Sequence, residues 1–126
     1  MSDTACEVVR RYNEAWLTFD IDGMKPFVGD DLVLWHNHLD RIFNRDEMFG
    51  FVVGSLDTLT NVEFRDARRT ETATGCIQQH VLCCELSTGA VISAPQVIVY
   101  TVRDGLIRKI EEYVDGAALA VPGIQR

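Results

Sequence analysis

Residues 32–40 read LVLWHNHLD, so an apolar strand pattern runs directly into two imidazoles, a carboxamide and a carboxylate. Successive side chains of a strand point to opposite faces, and Leu32, Leu34 and His36 therefore share one face. Histidine titrates closest to neutral pH, so an inward-facing histidine can act as an acid, a base or a metal ligand. This stretch predicts a strand that delivers His36 to an internal pocket, and the residues after it are expected in an exposed loop.

Length and charge limit the function classes. With 126 residues and 47% hydrophobic content, the chain is expected to form one domain over residues 1–126. Its net charge of −7 disfavours binding to nucleic acid or to anionic lipid. No apolar stretch approaches membrane-spanning length, and four cysteines without C-x-x-C spacing indicate small buried groups in a reducing compartment. We expect a cytoplasmic protein without a nucleic-acid or membrane partner.

Three helices are predicted in the first half of the chain. In the first, Val9, Tyr12, Trp16 and Phe19 recur at helical spacing, which predicts one buried face. Each helix follows a residue whose side chain can accept a hydrogen bond from the first turn. These residues are Thr4 for the first helix, Asp20 or Asp22 for the second, and Asn44, with Glu47 three residues later, for the third.

The second half of the chain has the character of strands. From residue 61 onward, alternating and β-branched segments are separated by Thr88-Gly89 and Asp104-Gly105, which are typical of hairpin turns. The order is helix, helix, strand, helix and then four strands. It predicts an α+β domain with three N-terminal helices packed on a strongly curved, mainly antiparallel sheet.

Four segments in this order resemble a known fold. They are Tyr12 in the first helix, residues 19–24 (FDIDGM), residues 30–36 (DDLVLWH) and residues 104–115 (DGLIRKIEEYVD). Together they resemble the SnoaL-like and ketosteroid-isomerase-like families of the nuclear transport factor 2 (NTF2-like) fold, over nearly the whole chain. The resemblance implies a cone of helices and bent sheet around a deep hydrophobic pocket. The fold hosts isomerases, dehydratases, cyclases, epoxide hydrolases and non-catalytic binding modules.

The resemblance also implies roles for single residues. Tyr12 occupies the position of the tyrosine that binds the oxyanion in ketosteroid isomerases, and His36 occupies the position of their aspartate base. Val97 falls where that family has a protonated aspartic acid, and valine cannot donate a hydrogen bond. Losing one oxyanion donor lowers the rate by on the order of 10² to 10³, so steroid isomerase activity is disfavoured.

The last strand offers a partner for His36. Ile110, Glu112 and Val114 share one face, and if this face is the inner one, Glu112 points into the pocket. A carboxylate there would orient the imidazole and raise its pKa, as expected for a general base. The alternative, in which Glu111 and Tyr113 face inward, stays open.

The sequence leaves two alternatives for the pocket-facing residues of the predicted strand that contains residues 76–83. Either Gln79 or His80 faces the pocket; the alternation of Ile77, Gln79, Val81 and Cys83 favours Gln79, and a bulge would reverse this. The outer face of the sheet would then be apolar, and an accessible apolar face is typical of a protein interface. The resemblance also implies a dimer, so we expect a homodimer that forms through this face. The residues expected on that outer face are Cys76, Leu82, Ile98 and Tyr100.

A metal site is a weaker hypothesis. His36 and His38 are two residues apart, and His80 on another strand could complete a site. The spacing is common by chance, and no residues that would support the ligands are identified. We expect neither a metal nor another cofactor.

These observations predict a small cofactor-independent enzyme that transfers protons on a small, largely apolar, carbonyl-containing substrate, as an isomerase, cyclase or dehydratase. In this prediction His36 is the base, Tyr12 donates to the developing oxyanion, and Glu112 orients His36. A non-catalytic domain that binds a small ligand or a partner is the alternative. The residues predicted to line the pocket are Trp16, Trp35, Gln79, Val97 and Val99.

Overall fold

The computed structural model of the chain describes residues 4–119; the two ends of the predicted domain, residues 1–3 and 120–126, lie outside this range. Within it, helices precede and interrupt the first strands, and four long strands follow. The elements are α1 (Ala5–Leu17), α2 (Ile21–Met24), β1 (Val28–His36), β2 (Arg41–Asn44), α3 (Arg45–Ser55), β3 (Leu59–Thr72), β4 (Gly75–Leu86), β5 (Val91–Arg103) and β6 (Leu106–Val114), with short 3-10 turns at Lys25–Phe27 and Gly116–Leu119.

The strands form one six-stranded sheet in the order β2-β1-β6-β5-β4-β3. The pairing of β1 with β6 is parallel and the other four pairings are antiparallel. The predicted α+β class, with helices on a mainly antiparallel sheet, is confirmed. Strand β2 was not predicted, because its four residues are too few to establish an alternating pattern.

Side-chain caps begin the helices as the sequence predicts. The Thr4 side chain accepts a hydrogen bond from the backbone N–H of Glu7, and Asp20, rather than Asp22, caps α2. At the start of α3, Asn44 and Glu47 form a reciprocal capping box. Each cap satisfies backbone N–H groups that have no partner within the helix. Within residues 4–119, no helix has the length and apolar character needed to cross a membrane.

The sheet curves around the helices because β3 is interrupted twice. Its register with β4 shifts between Thr60 and Glu63 and again between Arg65 and Arg68. Asn61 lies in the first shift with φ of 52° and Asp66 in the second with φ of 55°, which is the left-handed region. Such bulges bend a strand and increase its twist. The bent sheet therefore has a concave face, on which α1 buries Val8, Val9 and Tyr12.

The inner faces of β4 and β5 are the reverse of those predicted. The two strands pair in continuous register from Gly75 opposite Thr101 to Glu85 opposite Val91, without a bulge. The prediction failed because polar side chains occupy the inner face, where they are hydrogen-bonded to one another, and apolar residues occupy both faces. Cys76, Ile98 and Tyr100 are buried in the main core, and Leu82 also faces inward; Gln79, Val97 and Val99 lie on the outer face.

The turn between β5 and β6 depends on its glycine. Asp104 and Gly105 both have left-handed backbones, with φ of 56° and 72°. This is the pairing that two-residue hairpin turns with Asp-Gly sequences adopt, as predicted. A Cβ added at Gly105 would meet no atom within 4 Å, so only backbone conformation restricts this position.

Replacing Gly105 with alanine is expected to lower the free energy of unfolding by about 1 kcal/mol, since alanine tolerates a positive φ poorly. Gly50 is a matched control, because an added Cβ there also meets nothing within 4 Å and the residue lies inside α3. Gly50→Ala is expected to stabilise the protein by about 0.5 to 1 kcal/mol. Chemical denaturation measures both effects. Equal effects of the two substitutions would contradict this account of the turn.

Candidate functional site

A cavity of about 430 Å³ lies between the concave face of the sheet and helices α1 and α3. Its walls are mainly apolar, with Leu59, Leu82, Leu86 and Ile92 at one end. Polar side chains also line the cavity, and an apolar wall combined with converging polar groups is typical of a small-molecule site. The polar and aromatic residues in its lining include Tyr12, Asn13, Trp16, His36, His38, Gln96, Tyr100 and Glu112.

His36 and Glu112 lie side by side in this cavity because β1 and β6 pair in parallel. The register places the two residues opposite one another, and both side chains face inward. His36 Nε2 is 3.4 Å from Glu112 Oε2, and the side chains are 16% and 22% exposed. The pair is thus largely removed from solvent, and both side chains line the cavity.

Asn37 fixes the end of β1 against β6. Its backbone N–H donates to the carbonyl oxygen of Glu112 at 3.0 Å. Its side chain then continues the ladder: Nδ2 donates to the carbonyl oxygen of Val114 at 3.1 Å, and Oδ1 accepts from the N–H of Val114 at 3.0 Å. The sequence pattern predicted that Asn37 lies in an exposed loop. In the structure its side chain anchors the residue next to His36.

The hydrogen bonds of His36 determine which ring nitrogen carries its proton. Nδ1 accepts the backbone N–H of His38 at 3.1 Å, so in the neutral ring the proton is on Nε2. Nε2 is the nitrogen that faces Glu112. The neutral imidazole therefore presents an N–H to the carboxyl group, and neither ring nitrogen has a free lone pair.

Burial shifts the two groups in opposite directions. It raises the pKa of Glu112 from 4.5 to about 7, because the charged carboxylate is poorly solvated in the cavity. It lowers the pKa of His36 to about 4, and the nearby His38 acts in the same direction. At neutral pH the imidazole is uncharged, and the carboxyl group exchanges its proton near the pH at which general acids and bases work best.

Tyr12 places a hydroxyl in the same cavity. The residue is 4% exposed, and among residues 4–119 its hydroxyl donates a hydrogen bond to Met48 Sδ at 3.6 Å. A thioether sulfur is a weak acceptor, so the hydroxyl can turn to a better acceptor on a ligand. Burial raises the pKa of Tyr12 far above its usual value, and the charge of Glu112 raises it further. Tyr12 is thus a neutral donor close to Glu112.

The other predicted lining residues divide between the two faces of the sheet. Trp16 lines the cavity and stacks on Phe64, with ring centroids 5.3 Å apart. Trp35 lies on the outer face and packs edge-on against Tyr113 at 5.2 Å, so the prediction that it lines the pocket is wrong. The same prediction is wrong for three further residues of the outer face, which are Gln79, Val97 and Val99.

The three histidines do not meet at one point. The rings of His36 and His38 are 6.1 Å apart, whereas His80 uses both ring nitrogens in hydrogen bonds to Gln78 and Gln96. Across residues 4–119, no three His, Cys, Asp or Glu side chains are grouped to hold a metal ion.

A buried polar network beside the cavity was missed by the sequence analysis. Asn13, Gln78, His80 and Gln96 are each no more than 7% exposed and are hydrogen-bonded in a chain. The pattern that could have revealed them is the alternation Cys76, Gln78, His80, which reads as a polar face. Buried polar side chains are normally hydrogen-bonded, so a polar face can lie inside when its partners are present.

Comparisons with known proteins agree with this fold. Residues 9–110 match the sequence model of the SnoaL-like domain, and the chain therefore belongs to this family. No curated protein matches the chain.

Solved structures share its fold at low sequence identity. A protein of Pseudomonas putida KT2440 named "putative polyketide cyclase" is 14% identical, with a TM-score of 0.85 over 98% of this chain and 100% of that one. An NTF2-like protein of Burkholderia xenovorans LB400 is 14% identical, with a TM-score of 0.81 over 95% and 97%. A Catenulispora acidiphila protein with a ketosteroid isomerase-like fold, in complex with trimethylamine, is 13% identical, with a TM-score of 0.75 over 85% and 84%.

The raised pKa of Glu112 predicts how stability depends on pH. Because the pKa in the folded protein is above 4.5, folding favours the protonated form, and stability is lost as pH rises through about 7. Glu112→Gln is therefore expected to stabilise the protein at pH 9 by up to about 3 kcal/mol, since one pKa unit corresponds to about 1.4 kcal/mol. The gain should vanish at pH 4.

Denaturation at both pH values measures this difference. Glu111→Gln is the matched control, because Glu111 is the next residue on β6 and its carboxylate lies 3.8 Å from the ammonium of Lys109. It should show no such gain at pH 9. An equal response of the two variants would show that Glu112 is solvated like a surface carboxylate.

Proposed function

We propose that this protein is a cofactor-independent enzyme that moves a proton on a small, largely apolar, carbonyl-containing substrate, in an isomerisation, a cyclisation or an elimination of water. One observation carries the proposal: the carboxyl group of Glu112 lies in a mainly apolar cavity, 3.4 Å from the imidazole of His36. Burial there raises the pKa of Glu112 to about 7. Membership of the SnoaL-like domain family supports the proposal. Such a group can both remove and return a proton at neutral pH.

In this proposal Glu112 is the general base. From the sequence, His36 was the predicted base and Glu112 the residue that orients it, and the geometry favours the reverse. His36 Nδ1 accepts a hydrogen bond from the backbone of His38, and Nε2 faces Glu112, so His36 has no nitrogen left to accept a proton from a substrate. Glu112 Oε2 faces His36, and Oε1 has no hydrogen-bond partner among residues 4–119. The carboxylate removes a proton from the carbon next to the substrate carbonyl. The resulting carboxylic acid returns the proton at another atom, or to the leaving oxygen.

His36 and Tyr12 support this step from two sides. The Nε2–H of His36 stabilises the carboxylate form of Glu112 and holds its plane, so His36 is a positioning residue. Tyr12 donates its hydroxyl proton in a hydrogen bond to the carbonyl oxygen as negative charge develops there. Trp16 and the apolar wall exclude water, which strengthens both interactions.

Proton abstraction can be tested before the natural substrate is known. We expect the protein to catalyse hydrogen-deuterium exchange at the carbons next to the carbonyl of 2-tetralone in D₂O, followed by ¹H NMR. Glu112→Gln should lower this rate by at least about 10², the usual contribution of a general base. Glu111→Gln should leave it unchanged. The wild-type rate should rise with pH through about 7, because only the carboxylate accepts a proton.

A second variant separates the two possible bases. His36→Phe removes the N–H that stabilises the carboxylate, so the pH profile should move to higher pH while exchange persists. If His36 were the base, this variant would instead abolish exchange and Glu112→Gln would retain it. A protein that binds 2-tetralone without exchanging its protons in any variant would favour the non-catalytic alternative.

We also propose that the protein forms a homodimer through the outer face of the sheet. This face presents Trp35, Val97, Val99 and Tyr113, and Tyr113 is 44% exposed. Large apolar side chains that remain accessible on a sheet face are typical of protein interfaces. The residues predicted on this face from the sequence were Cys76, Leu82, Ile98 and Tyr100, and the structure has these four on the inner face instead.

Sedimentation analysis at micromolar concentration tests this assembly. The wild type should sediment as a dimer, and Val97→Lys should produce a monomer with unchanged secondary structure. Val91→Lys is the control, since Val91 is 66% exposed at the start of β5 beside the turn. A monomeric wild type, or a dimer that survives Val97→Lys, would remove this interface.

A location in the cytoplasm stays part of the proposal. None of the four cysteines forms a disulfide, and Cys76, Cys83 and Cys84 are buried. The thiols of Cys6 and Cys76 are hydrogen-bonded to one another, with 3.0 Å between the sulfur atoms. Burial raises the thiol pKa of Cys76 and Cys84, which makes both less reactive. Such cysteines fit a reducing compartment.

A further inference from the structure

We propose that Gln96 is a substrate-binding residue whose amide N–H groups hold a second oxygen of the substrate, so that the ligand carries two hydrogen-bond acceptors. This inference rests on the proposed function, in which the first oxygen is the carbonyl beside Tyr12. It follows from the directions of the hydrogen bonds in the buried network behind the cavity, which are set by one residue that can only donate.

Arg69 sets the direction of the network. Its Nε–H lies 2.9 Å from Gln78 Oε1, and a guanidinium group has no acceptor atom. The oxygen of Gln78 must therefore face Arg69. Asn13 Nδ2 donates to the same oxygen, and Asn13 Oδ1 accepts the hydroxyl of Tyr100 at 3.3 Å. All these contacts agree with one orientation of the Gln78 amide.

The orientation of Gln78 fixes the proton on His80. With its oxygen turned to Arg69, Gln78 presents its NH₂ group to His80 Nδ1 at 2.9 Å. Nδ1 must accept, so the ring is neutral and carries its proton on Nε2. Phe64 stacks on the ring at 3.8 Å and holds it in this position. An imidazolium would direct N–H against N–H, and burial also lowers the pKa of His80.

His80 in turn fixes the amide of Gln96. Its Nε2–H donates to Gln96 Oε1 at 2.7 Å, which leaves the Gln96 NH₂ group as the end of the chain. Gln96 is 7% exposed, lines the cavity, and its Nε2 has no hydrogen-bond partner among residues 4–119. Gln96 Nε2 is also not sealed from solvent. A donor that is unpaired and accessible is ready to bind an acceptor.

The sheet register places this donor close to the proposed base. Glu112 lies opposite Ile98, and Gln96 is two residues away from Ile98 on the same face of β5. Diagonal neighbours of this kind are roughly 7–8 Å apart in an antiparallel pair. A small molecule can therefore reach Glu112 with one carbonyl group and Gln96 with a second oxygen. A neutral dicarbonyl or hydroxycarbonyl compound has the required chemistry, and an apolar monoketone uses only half of the site.

Two probes that differ in one oxygen test the proposal. They are 1-phenylpentane-1,4-dione, with two carbonyl groups, and 1-phenylpentan-1-one, with one. Isothermal titration calorimetry should show the wild type binding the diketone about tenfold more tightly, the worth of one net hydrogen bond. Gln96→Met, which is neutral and similar in size, should remove this preference and leave the affinity for the monoketone unchanged.

Gln79→Met is the matched control, because Gln79 lies on the outer face of the neighbouring strand, and it should change neither affinity. A preference that persists in Gln96→Met, or an equal loss for both probes, overturns the proposal. A failure of the proposed function can be told apart from a failure of this proposal. Glu112→Gln is expected to lower the rate of proton exchange and to leave the preference for the diketone unchanged.

The tautomer of His80 gives a test that needs no ligand. In protein with ¹⁵N-labelled histidine, the chemical shifts of His80 should report a protonated Nε2 and an unprotonated Nδ1 at neutral pH. A protonated Nδ1 would reverse the hydrogen bonds and turn the oxygen of Gln96 into the cavity, and the proposal would then be wrong whatever the probes show.

Discussion

The parallel pairing of β1 with β6 is the constraint on which the candidate site depends. It joins the first strand to the last, and its register alone brings His36 beside Glu112. Asn37 extends the pairing past the end of β1 by binding both backbone groups of Val114. Because these contacts are made mostly by the backbone, the two side chains are held by the sheet rather than by flexible loops. A site on paired strands is held more precisely than one on loops.

Burial of Glu112 gives the pair its chemical property, because it raises the pKa of the carboxyl group. A glutamate that ionises near pH 7 is unfavourable for folding at higher pH, and the surrounding apolar core offsets that loss. Beside the same cavity, the network of Asn13, Gln78, His80 and Gln96 is buried and uncharged. Its burial is tolerated because each side chain is hydrogen-bonded to the next one in the network. The cavity therefore combines one group that titrates with donors that do not.

The fold could be read from the sequence where local patterns and backbone chemistry agree. The capping box at Asn44 and the turn at Gly105 are local, and the structure contains both. The alternation of Leu32, Leu34 and His36 predicted an inner face for His36, and that of Ile110, Glu112 and Val114 left two orientations open for Glu112. In the structure both His36 and Glu112 line the cavity. These features need no knowledge of distant residues.

The faces of β4 and β5 could not be read in this way. In the sequence, Gln78 and His80 have the pattern of polar surface residues, and only their hydrogen-bond partners on α1, β3 and β5 account for their burial. Likewise, the proton position on His36 depends on a backbone N–H that only the turn after β1 supplies. Hydrophobic periodicity carries no information about such partners.

The ionisation of Glu112 is the most direct test of this account. Its carboxyl carbon can be followed by ¹³C NMR in protein labelled at glutamate, with Glu112→Gln assigning the signal. We expect a midpoint near pH 7, well above the ordinary pKa of 4.5. A midpoint near 4.5 would show that the carboxyl group is solvated, and the proposed base would then lack the property that defines it.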